Sequence, residues 1–200
     1  MVSNARTFTL VRHGRTTYNN LGLVNGDPQV PVELDDVGRA QCLEARETLS
    51  GRQFDLAIRT RFQRTGESLA LILDGRAVPV IEYPDFDDVR LGTFEGGPVD
   101  VYREWRHTHT PEEPPPGEGE SRVGALYRYT RGFEQMLADD DADDILAVIH
   151  DVPIRFMLNA MTSADPLNGP VKGVANCEVH TLSEDDLERG LAAMRDRLSL

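Results

Sequence analysis

Short apolar runs alternate with longer amphipathic segments along the chain, and this alternation predicts the fold class. Three runs have the length and composition of buried strands, residues 7–11, 54–58 and 145–149, and a fourth run, 78–81, is predicted to form a further strand. Apolar residues at helical spacing predict helices over 38–49, from about 60 to 73, and over 99–109, 122–137 and 153–161. A last strand near 179–182 precedes a polar helix. Alternating strands and helices predict an α/β fold with a mostly parallel central sheet.

Polar segments rich in glycine, proline or acidic residues separate these elements. Residues 16–31 are predicted to form an irregular loop, and residues 139–144 a solvated acidic loop. The acidic, proline-rich stretch 111–120 predicts a stiff surface loop within a flap or insertion at about 97–121, over one edge of a cleft. Because 200 residues suffice for one full core, we expect a single domain over residues 1–200.

Three of the predicted strands end in titratable side chains, which are costly to bury. These side chains are Arg12 and His13 after the first strand, Arg61 and Arg64 after the second, and His150 and Asp151 after the strand at 145–149. In a parallel α/β sheet, the carboxyl ends of central strands face the ligand crevice. The sequence therefore predicts a polar site at this edge of the sheet.

Arg61 and Arg64 lie where helix stability does not favour them. Thr60 is the predicted N-cap of the following helix, which places both arginines near its first turn, where the macrodipole is positive. A bound anion would turn this repulsion into a binding site, because free backbone N–H groups and an arginine fork would face it. The alternative is that both side chains extend into solvent.

The overall charge limits the classes of partner. A formal net charge of −13 argues against nucleic acid and against an anionic membrane, because like charges repel. Lys172 is the only lysine, and the arginines that make up the other basic residues present a fork that matches phosphate or carboxylate oxygens. Cys42 and Cys177 have no metal or redox spacing, so we expect both to pack in the core of a reduced, cytoplasmic protein.

Four elements, in chain order, resemble the signature of the histidine phosphatase superfamily, the phosphoglycerate-mutase-like enzymes of branch 1. The elements are Arg12-His13-Gly14, Thr60 with Arg64, Asp88 before the Gly92–Gly96 stretch, and His150. The resemblance covers most of the chain. It implies a phosphoglycerate-mutase-like fold, a three-layer sandwich around the central sheet, and a reaction that requires no metal and no organic cofactor.

The resemblance also implies a role for each matched residue. His13 would be the nucleophile that forms a covalent phosphohistidine. The phosphate-binding residues would be Arg12, Asn19, Arg64 and His150.

Two carboxyl groups are candidates for the general acid. Asp88 matches the acid position of branch 1, where glutamate is usual, and the Gly92–Gly96 context supports it. Asp151 resembles instead the His-Asp pair of the acid-phosphatase branch. We favour Asp88, and both candidates stay open at this point.

Five further side chains are expected on the leaving-group side or at the mouth of the site: Arg15, Tyr18, Leu23, Arg90 and Phe94. For Arg15 the alternative is a side chain that points to solvent. Arg15 departs from the acidic or amide residue that is common in the family after the glycine, and Phe94 stands where tryptophan is common. These side chains are compatible with sugar phosphates, phosphoglycerate-like acids and nucleotides alike.

The predicted function is hydrolysis of a phosphomonoester of a small phosphorylated metabolite. The alternatives are a phosphoglycerate-mutase-type isomerase and a catalytically silent module that binds a phosphorylated ligand. Hydrolysis is favoured because mutases of the family carry longer insertions around the acid. The expected partner is the small phosphorylated substrate, and a homodimer is compatible with the sequence.

Overall fold

A five-stranded sheet runs through the middle of the protein in a computed structural model that describes residues 6–139 and 141–199. The strands are β1 (Thr7–Arg12), β2 (Leu56–Arg59), β3 (Val80–Glu82), β4 (Asp144–Ile149) and β5 (Val179–Ser183). Their spatial order is β3-β2-β4-β1-β5; the first four run parallel, and β5 is antiparallel to β1. The prediction of a mostly parallel sheet is confirmed. Asp140, in the predicted acidic loop, lies outside the described residues.

Helices cover both faces of this sheet. Those formed by the described residues are α1 (Thr17–Leu21), α2 (Asp36–Thr48), α3 (Gln63–Leu73), α4 (Val99–Thr108), α5 (Arg122–Leu137), α6 (Asp151–Met161) and α7 (Glu184–Leu198). None of them is both long and apolar enough to cross a bilayer.

Two separate hydrophobic layers form because alternate side chains of a strand point to opposite faces of the sheet. In β4, Ile145, Ala147 and Ile149 pack with α5, α6 and α7. Leu146 and Val148 of the same strand pack with α2 and α3 on the other face. The sheet between two helix layers is the predicted three-layer sandwich.

The structure differs from two local predictions. Residues 16–31 are not wholly irregular, because Thr16 and Asn19 form a capping box that starts the short helix α1. Thr60 is not the N-cap of α3: the helix begins at Gln63, and Phe62 stands at the cap position without a side-chain hydrogen bond. The hydroxyl of Thr60 is committed to another partner in the site described below.

Residues 97–121 consist of α4 and the proline-rich loop. None of the α4 residues is fully buried. The helix is attached through aromatic contacts with Phe94, whose ring centroid lies 5.7 Å from that of Tyr102 and 5.6 Å from that of Trp105. The loop is tied back to the chain by a hydrogen bond of 2.8 Å from the Thr93 N–H to the Pro116 carbonyl.

Both cysteines are buried, and the fold brings them together. Their sulfur atoms lie 3.4 Å apart, although the two residues are 135 positions apart in the sequence. Cys42 also packs beneath the turn that follows β1, since a Cβ built on Gly14 would lie 2.9 Å from its sulfur.

The turn after β1 packs directly on the start of α2. Asp35 caps this helix by accepting a hydrogen bond of 2.7 Å from the Gly38 N–H, and its other oxygen accepts one of 2.8 Å from Nε of Arg15. Gly38 leaves no room for a side chain, because an added Cβ would overlap the Arg15 carbonyl oxygen.

We therefore predict that Gly38→Ala destabilises the protein by about 1–3 kcal/mol, the usual cost of forcing an extra methyl into a packed site. Gly51→Ala is the matched control, since an added Cβ there meets open space, and it should be neutral or slightly stabilising. Urea unfolding of both variants measures the difference. Equal stability of the two variants would contradict the proposed packing of the turn.

Candidate active site

Three neighbouring parallel strands, β2, β4 and β1, end at the same edge of the sheet. His13 follows β1, His150 follows β4, and Arg64 lies in the first turn of α3 after β2. The ring centroids of His13 and His150 are 5.4 Å apart. His13 and Arg64 line a cleft of about 490 Å³. The fold thus brings together side chains that are distant in the sequence.

Arg64 contacts most of the other site residues, although it is only 4 % exposed. Its Nε donates to Nε2 of His13 at 3.1 Å. Its Nη2 donates to Nδ1 of His150 at 3.2 Å and to Oδ2 of Asp88 at 3.1 Å. Its Nη1 donates to Oδ1 of Asn25 at 2.5 Å. Every branch of the guanidinium therefore faces an acceptor.

The guanidinium of Arg64 stays charged despite its burial. Burial lowers the pKa of Arg64 to about 10, while the nearby carboxylate of Asp88 opposes this shift. The ring of Phe62 lies beneath the guanidinium, 4.2 Å from its central carbon, and its π face favours the cation. At neutral pH the site therefore holds a buried positive charge.

The hydrogen bonds of His13 define which nitrogen carries its proton. Nδ1 lies 2.8 Å from the Gly14 carbonyl oxygen, which can only accept, so Nδ1 bears the hydrogen. Nε2 accepts from Arg64 and therefore carries a lone pair. This nitrogen is directed into the site as a potential nucleophile.

His150 has the opposite tautomer. Its Nδ1 accepts from Arg64, so Nε2 carries the hydrogen and donates to Oγ1 of Thr60 at 3.0 Å. The Thr60 hydroxyl in turn donates to Oγ1 of Thr65 at 3.0 Å. The Thr65 hydroxyl donates to the Phe62 carbonyl at 2.8 Å. Thr60 therefore orients His150 and does not cap α3.

Both histidines are neutral at neutral pH. Burial holds the pKa of His13 well below its ordinary value, and the charges of Arg64 and Arg12 lower it further. Burial and Arg64 lower the pKa of His150 in the same way. Neutrality is what a nucleophilic imidazole requires, because only the unprotonated nitrogen has a lone pair.

The two candidate acids have different surroundings. Asp88 accepts from Arg64, and its other oxygen accepts from the Val89 N–H at 2.9 Å. Burial raises the pKa of Asp88, while the charge of Arg64 acts in the opposite direction. Asp151 also lines the cleft, but its Oδ1 accepts a hydrogen bond of 2.6 Å from the Val174 N–H. Asp88 is thus the carboxyl group closer to the histidines, with its Oδ2 3.6 Å from Nδ1 of His150.

Arg12 and Asn19 both line the cleft. Arg12 donates through Nη1 to the Val174 carbonyl at 2.5 Å, while its Nε is buried and has no hydrogen-bond partner among the described residues. Asn19 is exposed, and its Oδ1 accepts from the Thr16 N–H at 3.1 Å. Arg12 and Asn19 therefore border the same cleft as Arg64.

Sequence reasoning did not identify Asn25, which fixes the position of Arg64 from the opposite side of the cleft. Asn25 accepts from Arg64 through both its side-chain and its main-chain oxygen, at 2.5 and 3.2 Å. Glu95 in turn accepts from Nδ2 of Asn25 at 2.9 Å and from the Gly26 N–H at 2.7 Å. The Phe94-Glu95-Gly96 triplet belongs to the stretch that resembles the family, and its glutamate was the one sequence feature that could have pointed to this contact.

Ser68 and Asn176, also missed from the sequence, hold the backbone around His13. The Gly14 N–H donates to Oγ of Ser68 at 2.9 Å, and this hydroxyl donates to the Arg64 carbonyl at 2.7 Å. Nδ2 of Asn176 donates to the His13 carbonyl at 2.9 Å. No periodic pattern marks either residue.

Two of the five side chains predicted on the leaving-group side, Tyr18 and Leu23, line the cleft. The structure places the other three outside its lining. Arg15 forms a salt bridge with Asp35, Arg90 is exposed, and Phe94 packs against the aromatic rings of α4.

Arg61 is explained by a contact within the protein. Its Nη2 lies 2.5 Å from Oδ2 of Asp87, whose side chain is buried, and Asp87 also accepts from the Arg61 N–H at 3.0 Å. The predicted anion site at this helix end therefore involves Arg64 and not Arg61.

The geometry favours chemistry on a small anion. A lone pair on His13, a buried cation on Arg64 and a carboxyl group on Asp88 face the same cleft. Such an arrangement can bind a tetrahedral oxyanion, attack its central atom and exchange a proton with a leaving group.

The family model described as histidine phosphatase superfamily (branch 1) matches residues 8–197. The chain therefore belongs to the histidine phosphatase superfamily, as its motifs indicated, and it is an enzyme of that class.

Curated relatives and solved structures are similar over most of the chain. The adenosylcobalamin/alpha-ribazole phosphatase of Salmonella typhimurium is 27% identical over 153 residues, which cover 70% of this chain and 72% of the relative. The 2,3-bisphosphoglycerate-dependent phosphoglycerate mutase 2 of Gloeobacter violaceus is 29% identical over 171 residues, covering 78% and 76% of the two chains. The crystal structure of the alpha-ribazole phosphatase from Shigella flexneri matches with a TM-score of 0.77 at 21% identity, over 88% of this chain and 89% of the other, which shows a shared fold.

The hydrogen bond between Thr60 and His150 can be tested by substitution of Thr60. Thr60→Val removes the acceptor of the buried His150 N–H, so we predict a loss of about 1–3 kcal/mol in unfolding free energy. Thr60→Ser keeps the hydroxyl and should lose clearly less. Urea unfolding measures stability, and ¹⁵N NMR of the imidazoles reports the His150 tautomer. A valine variant as stable as the serine variant, with an unchanged tautomer, would exclude this role.

Proposed function

We propose that this enzyme hydrolyses phosphomonoesters of small phosphorylated metabolites through a phosphohistidine at His13. The observation that carries the proposal is the orientation of this imidazole, whose Nδ1–H is fixed by Gly14 while its Nε2 lone pair faces Arg64. Phosphoryl transfer depends mostly on positioning and on stabilisation of charge, which this arrangement supplies. Membership of the superfamily supports the same reaction.

In the first step, Nε2 of His13 forms a bond to phosphorus while the bond from phosphorus to the ester oxygen breaks. The bonding electron pair leaves with that oxygen, which receives the proton of the Asp88 carboxyl group. Arg12 and Arg64 bind the non-bridging oxygens, where negative charge accumulates, and His150 holds the Arg64 guanidinium in place by accepting from its Nη2. The imidazole gains positive charge, and the Gly14 carbonyl stabilises it by accepting from Nδ1–H.

In the second step, water attacks the phosphorus of the phosphohistidine. The carboxylate of Asp88 accepts a proton from this water, and the electron pair of the N–P bond returns to Nε2 of His13. Inorganic phosphate leaves, and both side chains regain their starting protonation states.

The surroundings of Asp88 support its role as the acid. Burial already raises the pKa of its carboxyl group. A bound phosphoryl group adds negative charge nearby and raises the pKa further, which favours the protonated form that a general acid needs. Asp88 also lies next to the histidines, with its Oδ2 3.6 Å from Nδ1 of His150, so Asp151 is the less suitable donor.

The proposal takes water as the phosphoryl acceptor. The name of the Salmonella relative, a phosphatase, supports hydrolysis. The Gloeobacter relative is named a mutase, and a mutase would return the phosphoryl group to its substrate. Incubation with 3-phosphoglycerate distinguishes the two, since hydrolysis yields glycerate and inorganic phosphate whereas isomerisation yields 2-phosphoglycerate. Binding without either product would identify a silent module.

We predict that His13→Ala lowers kcat for p-nitrophenyl phosphate by more than about 10³-fold, because the variant has no nucleophile. His107→Ala, a substitution of an exposed histidine on α4, is the control and should retain the parent rate. Alkaline-quenched mass spectrometry of the parent protein should show one phosphoryl group on the peptide that contains His13. Comparable turnover in both variants would refute the covalent mechanism.

We predict that Asp88→Asn slows turnover of alkyl phosphates more than that of p-nitrophenyl phosphate, since a good leaving group needs less proton assistance. In the parent, rising pH deprotonates Asp88, so the alkyl-to-aryl ratio of kcat/KM should fall as pH increases through the raised pKa of this carboxyl group. In Asp88→Asn the ratio should be independent of pH. Asp151→Asn provides the comparison, and a flat ratio in that variant alone would assign the acid to Asp151.

A further inference from the structure

The cleft is strongly cationic, although the protein as a whole is acidic. Six arginines and the single lysine, Lys172, line it, against two aspartates. The formal net charge of the chain is −13. A cleft whose charge is opposite to that of the surrounding surface concentrates anions. The excess of cations is larger than one phosphoryl group requires.

Only Arg12 and Arg64 belong to the phosphoryl site described above. Three further arginines of the lining come from three separate helices: Arg106 from α4, Arg122 from the first residue of α5, and Arg155 from α6. Helices that are distant in the sequence thus direct three guanidinium groups to the same cleft. This arrangement forms a second group of cations on the leaving-group side.

These three arginines are poorly neutralised by the protein itself. Within residues 6–139 and 141–199, no carboxylate forms a salt bridge with Arg106 or Arg122, and Arg155 reaches Asp151 only at 3.8 Å. Arg155 is 9 % exposed and donates through Nη1 to the Lys172 carbonyl at 3.0 Å. Its Nε is buried and has no hydrogen-bond partner among the described residues. A buried donor without a partner in the protein is available to an anion in the cleft.

The arginines also repel one another. Burial lowers the pKa of Arg106, and the charges of Arg155 and Arg122 lower it further. Burial and the charge of Arg155 lower the pKa of Arg122 as well. Cations held close together in a partly buried site are costly unless an anion lies among them. The cluster is therefore suited to binding an anion.

Building on the phosphatase function proposed above, we propose that Arg106, Arg122 and Arg155 form a second anion subsite. The substrates are then phosphomonoesters that carry a carboxylate or a second phosphate on the leaving group. Each guanidinium presents a planar fork that matches the oxygens of either anion. Apolar lining residues such as Leu23 and Val99 accommodate the carbon skeleton. The ester is anchored at both ends, which positions its phosphorus against His13.

Two matched substrate pairs test this subsite. 3-Phosphoglycerate and glycerol 3-phosphate differ in a carboxylate, and fructose 1,6-bisphosphate and fructose 6-phosphate differ in a second phosphate. In at least one pair, we expect the compound with two anionic groups to have a kcat/KM about 10- to 100-fold higher than its partner. This is the increase in affinity that one charge-assisted hydrogen bond usually gives. The pair that shows this preference identifies the second anion. Absence of a preference in both pairs would overturn the proposal.

Variants of the subsite decide whether these arginines cause the preference. Arg106→Gln and Arg122→Gln should each reduce the preference ratio by about 10-fold, mainly through KM, and Arg106→Lys should restore part of it. Arg189→Gln, at a half-exposed arginine paired with Asp186 on α7, is the control and should leave the ratio unchanged. An unchanged ratio in both glutamine variants would refute the assignment.

A binding measurement separates this proposal from the proposed reaction. Isothermal titration calorimetry of 3-phosphoglycerate, fructose 1,6-bisphosphate and their partners with one anionic group, using His13→Ala with and without Arg106→Gln, does not depend on turnover because the nucleophile is absent. If no ester is hydrolysed but a doubly anionic compound binds about 10-fold more tightly and loses this advantage in Arg106→Gln, the subsite stands and the phosphatase function fails. If esters are hydrolysed but the compounds with one and with two anionic groups bind equally, the subsite fails alone.

Discussion

A guanidinium buried in a protein can stay charged only where its N–H groups find acceptors, and Arg64 imposes this condition on the whole site. Since a guanidinium only donates, each group that faces it must offer a lone pair. The requirement selects the unprotonated nitrogens of His13 and His150, and it keeps oxygens of Asn25 and Asp88 turned inward. Arg64 thus determines the tautomers of both imidazoles, the position of the Asp88 carboxyl group and the conformation of the Asn25 loop.

Much of the fold could be predicted, because the apolar pattern of each strand is set by burial on both faces of the sheet. The run 145–149 is uninterrupted since its residues contribute to both hydrophobic layers, and helix 122–137 was predicted with the bounds that the structure has. Helix α1 was missed because its five residues are too few to show a period and none of them is fully buried. Only the Thr16 and Asn19 capping box could have indicated it.

The site could be predicted where residues are attached to strand ends, since the sheet register fixes their positions. It could not be predicted where the choice of partner depends on tertiary structure. Arg61 and Arg64 look alike in the sequence, yet Asp87 neutralises the first while the second enters the cleft. Arg15 is likewise paired with Asp35. Loop residues have no periodic apolar pattern that would reveal their positions. The neighbouring sequence also does not determine toward which distant strand a helical side chain points.

Helix α4 has no fully buried residue, packs against the ring of Phe94 through Tyr102 and Trp105, and contributes no residue to either hydrophobic layer. The reacting groups, by contrast, are held by strand ends that belong to the core. Substitutions on the inner face of this helix can therefore accumulate without loss of fold stability. Changes in one peripheral helix can thus alter which metabolites such an enzyme accepts during evolution, while the residues of its reactive centre stay the same.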